Sequence, residues 1–151
     1  MSIASVRSVA AKRVCNTQYA ALPYRIVHGA LEILLITTLR TQRWIIPKGW
    51  PMEGLPAHAA AAREALEEAG VCGEISKEAI GSFSYYKQRK NGTMELCKVN
   101  VFALKVTRQR KTWAEKDARS ARWCSVEDAA AAVIEPGLRQ LIRKFGIAVP
   151  A

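Results

Sequence analysis

The sequence predicts an α+β fold, an α/β/α sandwich in which a mixed β-sheet lies between helices. Strand-compatible runs come first, followed by one helix, further strands and two final helices, an order that does not fit a repeating βαβ pattern. The 151 residues suit one domain, and 50% of them are apolar, which argues against global disorder. We therefore expect a single domain over residues 21–151, preceded by a basic N-terminal arm over residues 1–20.

The expected arm carries cations, including Arg7, Lys12 and Arg13, and the first acidic residue of the chain is Glu32. It lacks the long apolar core of a secretory signal and bears a faint resemblance to an organellar transit peptide. We interpret it as a short basic arm that is partly ordered against the domain. No apolar run approaches the ~20 residues of a membrane span, so no membrane association is expected.

The four cysteines are widely scattered without a CxxC pair, and the chain has two histidines. A structural zinc site is therefore not expected. Reduced thiols in a cytoplasmic protein are the default interpretation. The formal net charge of +10 predicts an anionic partner, either a polyphosphate or a nucleic acid.

Three strands are predicted before the first helix. Residues 24–28 and 31–38 are apolar, β-compatible runs separated by a His-Gly-Ala turn. The second run, LEILLITT, is almost continuously apolar, which is typical of a central strand covered on both faces. Residues 44–46 form a third, short strand.

A helix is predicted over residues 56–70. Proline suits its first turn, alanines favour its interior, and Gly70 is a stop signal just past its last turn. At about 100° per residue, Glu64, Glu67 and Glu68 fall within one narrow arc of this helix. The opposite side is predicted to face the core and contains Ala62, Ala65, Leu66 and Ala69.

Further strands follow this helix. Residues 73–84 predict one or two strands, and residues 94–107 predict one long strand. Between them, residues 87–92 form a basic hairpin tip in which Asn91-Gly92 is the favoured dipeptide of a type I′ turn. A polar, charged loop over residues 108–120 comes next.

The last strand is predicted at residues 121–124. Ser125 can cap the helix that follows, with Asp128 in a capping-box-like position. Residues 138–145 predict a C-terminal helix. Its apolar side consists of Leu138, Leu141, Ile142 and Phe145.

The acidic arc indicates a metal site. Carboxylates at positions i, i+3 and i+4 repel one another, and each pair costs a few tenths of a kcal/mol in an exposed helix. A divalent cation such as Mg²⁺ converts this repulsion into coordination, because it prefers hard oxygen ligands. A solvated acidic face is the alternative, and helix periodicity alone favours it.

The segment over residues 47–71 resembles the Nudix box, in which a glycine is followed at set spacing by an acid and then by R-E-x-x-E-E-x-G-hydrophobic. One position departs from this pattern, since Leu55 stands where the family has a glutamate. The matching residues are Gly49, Arg63, Glu64, Glu67, Glu68, Gly70 and Val71. Seven matches at fixed spacing identify the chain as a member of the Nudix hydrolases.

This resemblance implies hydrolysis of a phosphoanhydride bond by water attack, with Mg²⁺ or Mn²⁺ as cofactor. It makes Glu64 and Glu68 direct metal ligands, together with the backbone carbonyl of Gly49. Glu67 is then a ligand or the general base, and Arg63 orients a glutamate. Because the REALEEAGV segment is intact, we expect activity to survive the loss of the glutamate at position 55.

The loop before the last strand adds to the resemblance. Family members often supply a further metal-binding carboxylate from this region, and Glu115 in the Trp-Ala-Glu segment matches. A surface glutamate paired with Lys116 or Arg119 is the alternative. This loop and the RWIIPKG segment are similar to the branch that contains diphosphoinositol polyphosphate and diadenosine polyphosphate hydrolases.

That branch implies a small polyphosphorylated substrate. Its phosphates would contact Arg25, Arg40, Arg43, Lys48 and Lys98, although each of these can equally be a solvated surface cation. Trp44 and Trp123 are interpreted as core residues. Tyr85 and Tyr86 lie on a predicted strand, one face of which can line the cleft. No aromatic pair is placed clearly enough to predict stacking on a base.

Two other functional classes stay open. A Nudix hydrolase can act on other nucleoside diphosphate derivatives, such as ADP-ribose or an RNA 5′ end. A degenerate box can also bind nucleotide without turnover, or the chain can be a basic nucleotide- or RNA-binding module. Nucleic acid is not the favoured partner, because the sequence contains no RNA-binding aromatic motif and no helix-turn-helix pattern.

Overall fold

The computed structural model describes residues 16–149. Eight strands and three helices lie in this range: β1 Thr17–Val27, β2 Ala30–Thr37, β3 Trp44–Ile45, β4 Lys48–Gly49, α1 Ala57–Ala69, β5 Val71–Ile75, β6 Gly81–Gln88, β7 Met94–Gln109, β8 Ala121–Ser125, α2 Val126–Ala132 and α3 Pro136–Ala148. No helix between residues 16 and 149 combines the length and the apolar character that a membrane crossing requires.

The strands form one mixed sheet, as predicted. Strand β1 pairs in parallel with β7, while the other pairings are antiparallel. The main path of the sheet runs β3-β2-β1-β7-β5, with β8 on β2, β4 on β1 and β6 on β7. The parallel pair places β1 in the centre of the sheet.

Helices cover both faces of this sheet, which confirms the predicted sandwich. On one face, His58 of α1 lies beside Phe102 of β7, with ring centroids 6.5 Å apart. On the other face, Phe145 of α3 packs edge-on against Tyr24 of β1 at 5.0 Å. We call these the α1 face and the α3 face. Residues that alternate along a strand therefore alternate between the two helical layers.

Strand β1 is longer than the sequence predicts, since it begins at Thr17 rather than at residue 24. Its first half contains small residues, and Ala20 and Ala21 carry little strand propensity. Parallel pairing with β7 from Thr17 to Tyr24 and complete burial override that propensity. Four residues of the expected arm therefore belong to the sheet. The remaining expected arm, residues 1–15, lies outside the described residues.

Helix α1 agrees with the prediction at both ends. Pro56 is its N-cap residue, and Gly70 ends it with a positive φ of 70°. The buried stripe is rotated from the predicted position, because Ala62 and Leu66 are only half-buried. The buried residues are Ala60, Ala61, Ala65, Glu68 and Ala69. One carboxylate of the acidic arc thus lies within the packed side of the helix, although the sequence placed the whole arc opposite the core-facing side.

The hairpin between β6 and β7 turns differently from the prediction. A type I′ turn needs positive φ at both central residues. Among the described turn residues 89–93, only Gly92 has positive φ, at 86°. Its amide donates to the Arg89 carbonyl at 3.0 Å, and the Asn91 side chain accepts from the Thr93 amide at 3.0 Å. The asparagine is used for this side-chain hydrogen bond rather than for a left-handed backbone.

The C-terminal helices confirm the prediction. The Ser125 side chain accepts a hydrogen bond from the Asp128 amide at 3.1 Å and caps α2. Helix α3 starts two residues earlier than predicted, because Pro136 suits its first turn. Its buried residues are the predicted Leu138, Leu141, Ile142 and Phe145.

Candidate active site

The carboxylate of Glu64 lies directly on the backbone of Gly49. A β-carbon added to Gly49 would stand 1.8 Å from Oε2 of Glu64 and 2.3 Å from its carboxyl carbon. No other residue type fits at position 49 unless the carboxylate moves. The glycine of the box therefore lets an acidic side chain approach the backbone closely, and α1 and β4 meet at this contact.

Glu68 is the buried member of the acidic arc. Its Oε1 accepts from the backbone amide of Lys48 at 3.3 Å, and its Oε2 lies 3.6 Å from Nη2 of Arg119. Burial raises the pKa of Glu68 to about 8, and the charge of Glu64 adds to this effect. Burial also raises the pKa of Glu64, which shares a hydrogen bond with Glu68. Without a cation, this pair holds a proton near neutral pH.

Arg119 binds three different parts of the chain. Its Nε donates to Oε1 of Glu115 at 2.7 Å, and its Nη1 donates to the carbonyl of Thr37 at 3.0 Å. Its contact with Glu68 completes the set. The guanidinium is only 12% exposed. Arg119 thus joins the end of β2, the acidic helix and the loop over residues 110–120.

That loop is fastened to the C-terminal end of α1. The Glu115 amide donates to the Glu67 carbonyl at 3.0 Å, and the Arg110 amide donates to the Gly70 carbonyl at 2.8 Å. The Trp113 ring covers Gly70, where an added β-carbon would meet the ring at 2.3 Å. Glu115 is consequently brought to the acidic cluster, by which we mean Glu64, Glu67, Glu68 and Glu115.

Arg63 is exposed, and within residues 16–149 it forms no hydrogen bond or ion pair with the acidic cluster. The orienting contacts expected of Arg63 are made by Arg119. The sequence indicated Arg119 only as an alternative partner for Glu115. The i, i+4 spacing of those two residues is the one local signal, and it does not reveal the contact with Glu68.

The acidic cluster fits a divalent cation in its donor chemistry. Its oxygens are the hard ligands that Mg²⁺ prefers, and Glu64 and Glu68 already touch. In the observed side-chain positions of residues 16–149, no three acidic, histidine or cysteine side chains lie close enough together to ligate one ion. Glu115 is instead held by Arg119. A cation therefore requires a rearrangement of carboxylates that are already neighbours.

A cleft of about 910 Å³ lies across β4 from the acidic cluster, and six of its fifteen lining residues are cations. Its only acidic lining residue among those described is Glu95, which pairs with Arg89. The predicted hairpin cations contribute to it together with three of the predicted phosphate contacts. We call this cleft the basic cavity, and its cations are Arg40, Arg43, Lys48, Lys87, Arg89 and Lys90.

Strand β4 separates the acidic cluster from the basic cavity. Gly49 faces Glu64, and the preceding residue Lys48 points to the other side, where its Nζ donates to the Tyr85 hydroxyl at 3.1 Å. Tyr85 in turn donates to Oε1 of Gln18 at 2.7 Å. Burial lowers the pKa of Lys48 and raises the pKa of Tyr85. Two adjacent backbone positions therefore belong to two sites of opposite charge.

Glu135 is a second residue that the sequence did not indicate. It precedes α3 and is buried, and its Oε2 accepts from Nη1 of Arg43 at 3.0 Å. Its other oxygen, Oε1, has no hydrogen-bond partner among the described residues. No local pattern marks this contact, because Arg43 and Glu135 are 92 positions apart.

Two predicted phosphate contacts lie outside the basic cavity. Arg25 pairs with Glu32 at 2.7 Å and stacks over the Trp123 ring at 4.0 Å. Ala20 of β1 pairs with Lys48, and Arg25 lies five residues further along the same strand. Five strand residues span about 16 Å. Lys98 alternates with the buried Cys97 and points to the α1 face. The structure thus divides the five predicted cations into three in the cavity and two elsewhere.

Comparison with known proteins agrees with the motif. Residues 20–145 match the NUDIX domain family. The chain is 35% identical over 104 residues to Nudix hydrolase 12, mitochondrial, of Arabidopsis thaliana, covering 66% of this chain and 50% of that protein. It is 35% identical over 101 residues to diphosphoinositol polyphosphate phosphohydrolase 3-alpha of Mus musculus, covering 65% and 57%. The chain therefore spans little more than half the length of these curated relatives.

The fold also has solved counterparts. An Ap4A hydrolase of C. elegans, in a binary complex, superposes with a TM-score of 0.66 at 24% identity, covering 87% of this chain and 96% of that one. At this identity the similarity establishes the fold alone.

Proposed function

Since the chain belongs to the NUDIX domain family, we propose that it is a metal-dependent pyrophosphohydrolase that cleaves a phosphoanhydride bond by water attack at phosphorus. The observation that carries this proposal is the arrangement around β4. On one side of β4, the Gly49 backbone contacts Glu64 and the Lys48 amide donates to Glu68, and on the other side the Lys48 side chain lines the basic cavity. Among the described strands β4 pairs with β1 alone, so a phosphate chain held by the cavity would reach the acidic cluster around the unpaired edge of β4.

The metal-holding residues we propose are Glu64, Glu68 and the carbonyl of Gly49, with Glu67 and Glu115 completing the set. When bound there, Mg²⁺ or Mn²⁺ would neutralise phosphate charge and lower the pKa of an attacking water. The raised pKa of Glu68 supports this assignment, because the charge of Arg119 does not offset the effect of burial, and a bound cation would favour ionisation of both carboxylates.

The protein groups have separate tasks in this proposal. Glu67 is half-buried at the edge of the cluster and either binds metal or accepts the proton of the attacking water. Arg119 holds Glu68 and Glu115 in place. An orienting role for Arg63 stays a prediction. Phosphoryl transfer needs positioning and charge neutralisation more than covalent chemistry, and these residues supply both.

The substrate class we propose is a small, heavily charged pyrophosphate, either a dinucleoside polyphosphate or an inositol pyrophosphate. The basic cavity supports this class, because clustered cations favour ligands with several phosphates. The names of the mouse relative and of the nematode structural neighbour agree with it. Arg40, Arg43 and Lys48 are the proposed contacts from the cavity, and Lys98 could contribute only from the α1 face.

A cytoplasmic location stays a prediction. It rests on the expected reduced cysteines, and Cys72, Cys97 and Cys124 are free thiols in the structure. The Arabidopsis relative carries a mitochondrial name, so the location of this chain needs its own measurement.

The test is a substrate panel with identified products. The chain is incubated with Mg²⁺ and, in separate reactions, with diadenosine tetraphosphate, an inositol pyrophosphate, ADP-ribose and a 5′-triphosphorylated RNA. We expect metal-dependent hydrolysis of one of the first two, lost on chelation of the metal and in Glu68→Gln. Exclusive turnover of ADP-ribose or RNA would replace the proposed substrate class. Binding without turnover of any compound would assign the chain to non-catalytic nucleotide binding.

A further inference from the structure

Trp50 differs from the other three tryptophans of the chain, and all four lie within the described residues. Trp44 and Trp123 pack against the hydrophobic core, and Trp113 covers Gly70. Trp50 is 39% exposed and belongs to none of these clusters. What sets Trp50 apart is its place in the basic cavity, where part of a large aromatic side chain is open to a ligand.

The indole of Trp50 lines the basic cavity, and the Trp50 backbone is adjacent to the residue that contacts the acidic cluster. Trp50 directly follows Gly49, the residue that supports the Glu64 carboxylate. It also lines the basic cavity, where Nζ of Lys87 stands 5.1 Å from the centroid of its ring. Lys87 thus forms a cation–π contact with the ring, and the position combines a partly exposed indole with cations that can hold phosphate.

The charges of the basic cavity limit the ligand further. Two of its six cations already have carboxylate partners, Arg43 with Glu135 and Arg89 with Glu95. Among the described residues, the other four form no ion pair with a carboxylate: Arg40, Lys48, Lys87 and Lys90. Four cations without a carboxylate partner in one cavity suit a ligand that carries several phosphates.

We propose that Trp50 is a stacking platform for a nucleobase, and that the basic cavity therefore selects nucleoside polyphosphates over base-free polyphosphates. This inference rests on the proposed function and narrows its substrate class to dinucleoside polyphosphates. Every base has a π-face that can stack on an indole, whereas an inositol ring has none. The base would cover the exposed part of Trp50 while the cations hold the attached phosphates.

The test separates base recognition from phosphate recognition. For Trp50→Leu, Trp50→Phe and the wild-type chain, the KM and kcat for diadenosine tetraphosphate are measured with Mg²⁺. The Ki of inorganic tetraphosphate, which lacks a base, is measured in the same assay. We expect Trp50→Leu to raise the KM about tenfold or more and to change the Ki less than twofold. Trp50→Phe should restore most of the loss.

Controls distinguish the possible failures. Ile147→Ala removes another exposed apolar side chain, on the last turn of α3 and outside the cavity, and should change neither constant. Equal effects of Trp50→Leu on KM and Ki, or no effect on either, would overturn the stacking role. Faster wild-type turnover of inositol pyrophosphate or of 5′-triphosphorylated RNA would overturn the substrate class.

A second measurement does not depend on catalysis. Quenching of tryptophan fluorescence by diadenosine tetraphosphate, titrated without metal, should be strong in the wild-type chain and largely absent in Trp50→Phe. If this quenching is found but no polyphosphate is hydrolysed, the proposed function fails and the stacking site stands. If hydrolysis is found and quenching is unchanged in Trp50→Phe, the proposed function stands and the stacking site fails.

Discussion

The acidic cluster and the basic cavity are neighbours that are built in opposite ways. Three of the four carboxylates come from a single helix, and two of them are buried enough to raise their pKa values. The cavity takes its cations from the β2–β3 loop, from β4 and from the β6–β7 hairpin, and it opens to solvent. The proposed hydrolysis therefore depends on carboxylates that are spaced along one helix and partly buried. Ligand capture depends on surface cations that the sheet brings together from several segments.

The largest expected effect follows from substitutions in the buried part of the acidic cluster. Glu68→Gln and, separately, Glu64→Gln should reduce kcat on the order of a hundredfold or more, because each removes a charged ligand and leaves no cavity. The fold should be retained, as measured by circular dichroism. Glu127→Gln changes an exposed carboxylate on α2 and is the matched control. Near-wild-type turnover in both variants at saturating Mg²⁺ would remove α1 from the mechanism.

A smaller effect is expected at the loop that reaches the cluster from outside α1. Glu115→Gln should lower kcat about tenfold and raise KM less, if Glu115 supports the metal rather than the ligand. Arg119→Lys keeps the charge but cannot span Glu68, Glu115 and Thr37 together, and it should reduce Mn²⁺ affinity in a direct titration without substrate. An unchanged kcat in Glu115→Gln would show that this loop has a structural role and does not support the metal.

The contribution of the basic cavity to kcat/KM should depend on salt concentration. Arg40→Ala removes an exposed cavity cation and should lower kcat/KM several-fold at low ionic strength, with little difference at high ionic strength. Arg25→Ala removes a cation about 16 Å along β1 and should leave the salt dependence unchanged. Lys98→Ala should have a smaller effect than Arg40→Ala. A larger effect of Lys98→Ala than of Arg40→Ala would place the phosphate contacts on the α1 face.

The smallest expected effect is on stability. The pKa of Glu68 is raised from its ordinary value of 4.5 to about 8, so the folded state binds more protons than the unfolded state between these values. The contribution of Glu68 to the stability of the metal-free protein should therefore be fully present below pH 4.5 and should be lost as the pH rises through 8. Thermal unfolding should show this decline in the wild-type chain and a flatter profile in Glu68→Gln. Identical pH profiles of Tm in the wild-type chain and in Glu68→Gln would contradict the burial argument.

The same contrast explains what the sequence could predict. Glu64, Glu67 and Glu68 are spaced along one helix, so periodicity places them together without tertiary information. The ends of α1, the Ser125 cap and the long strand β7 follow from equally local signals. The burial of Glu68 does not, because it results from the approach of β4 and Arg119.

The basic cavity was only partly predictable for a related reason. Cations were identified by residue type, but whether a strand residue faces the cavity depends on register, and a shift of one residue reverses the face. Lys48 and Lys98 are both on strands, yet their side chains point to opposite faces of the sheet. The Arg43–Glu135 pair joins residues 92 positions apart and leaves no mark in either local segment. Trp50 was missed because the sequence did not reveal its exposure.

The measurement that tests the central claim most directly is kcat/KM along a series of dinucleoside polyphosphates of increasing phosphate number, at low and at high ionic strength with saturating Mg²⁺. If the acidic cluster and the basic cavity act on one substrate, kcat/KM should rise with phosphate number and fall steeply with added salt. Arg40→Ala should flatten both trends. A constant value along the series with little salt dependence, or a preference for ADP-ribose, would contradict the claim that the two sites work together.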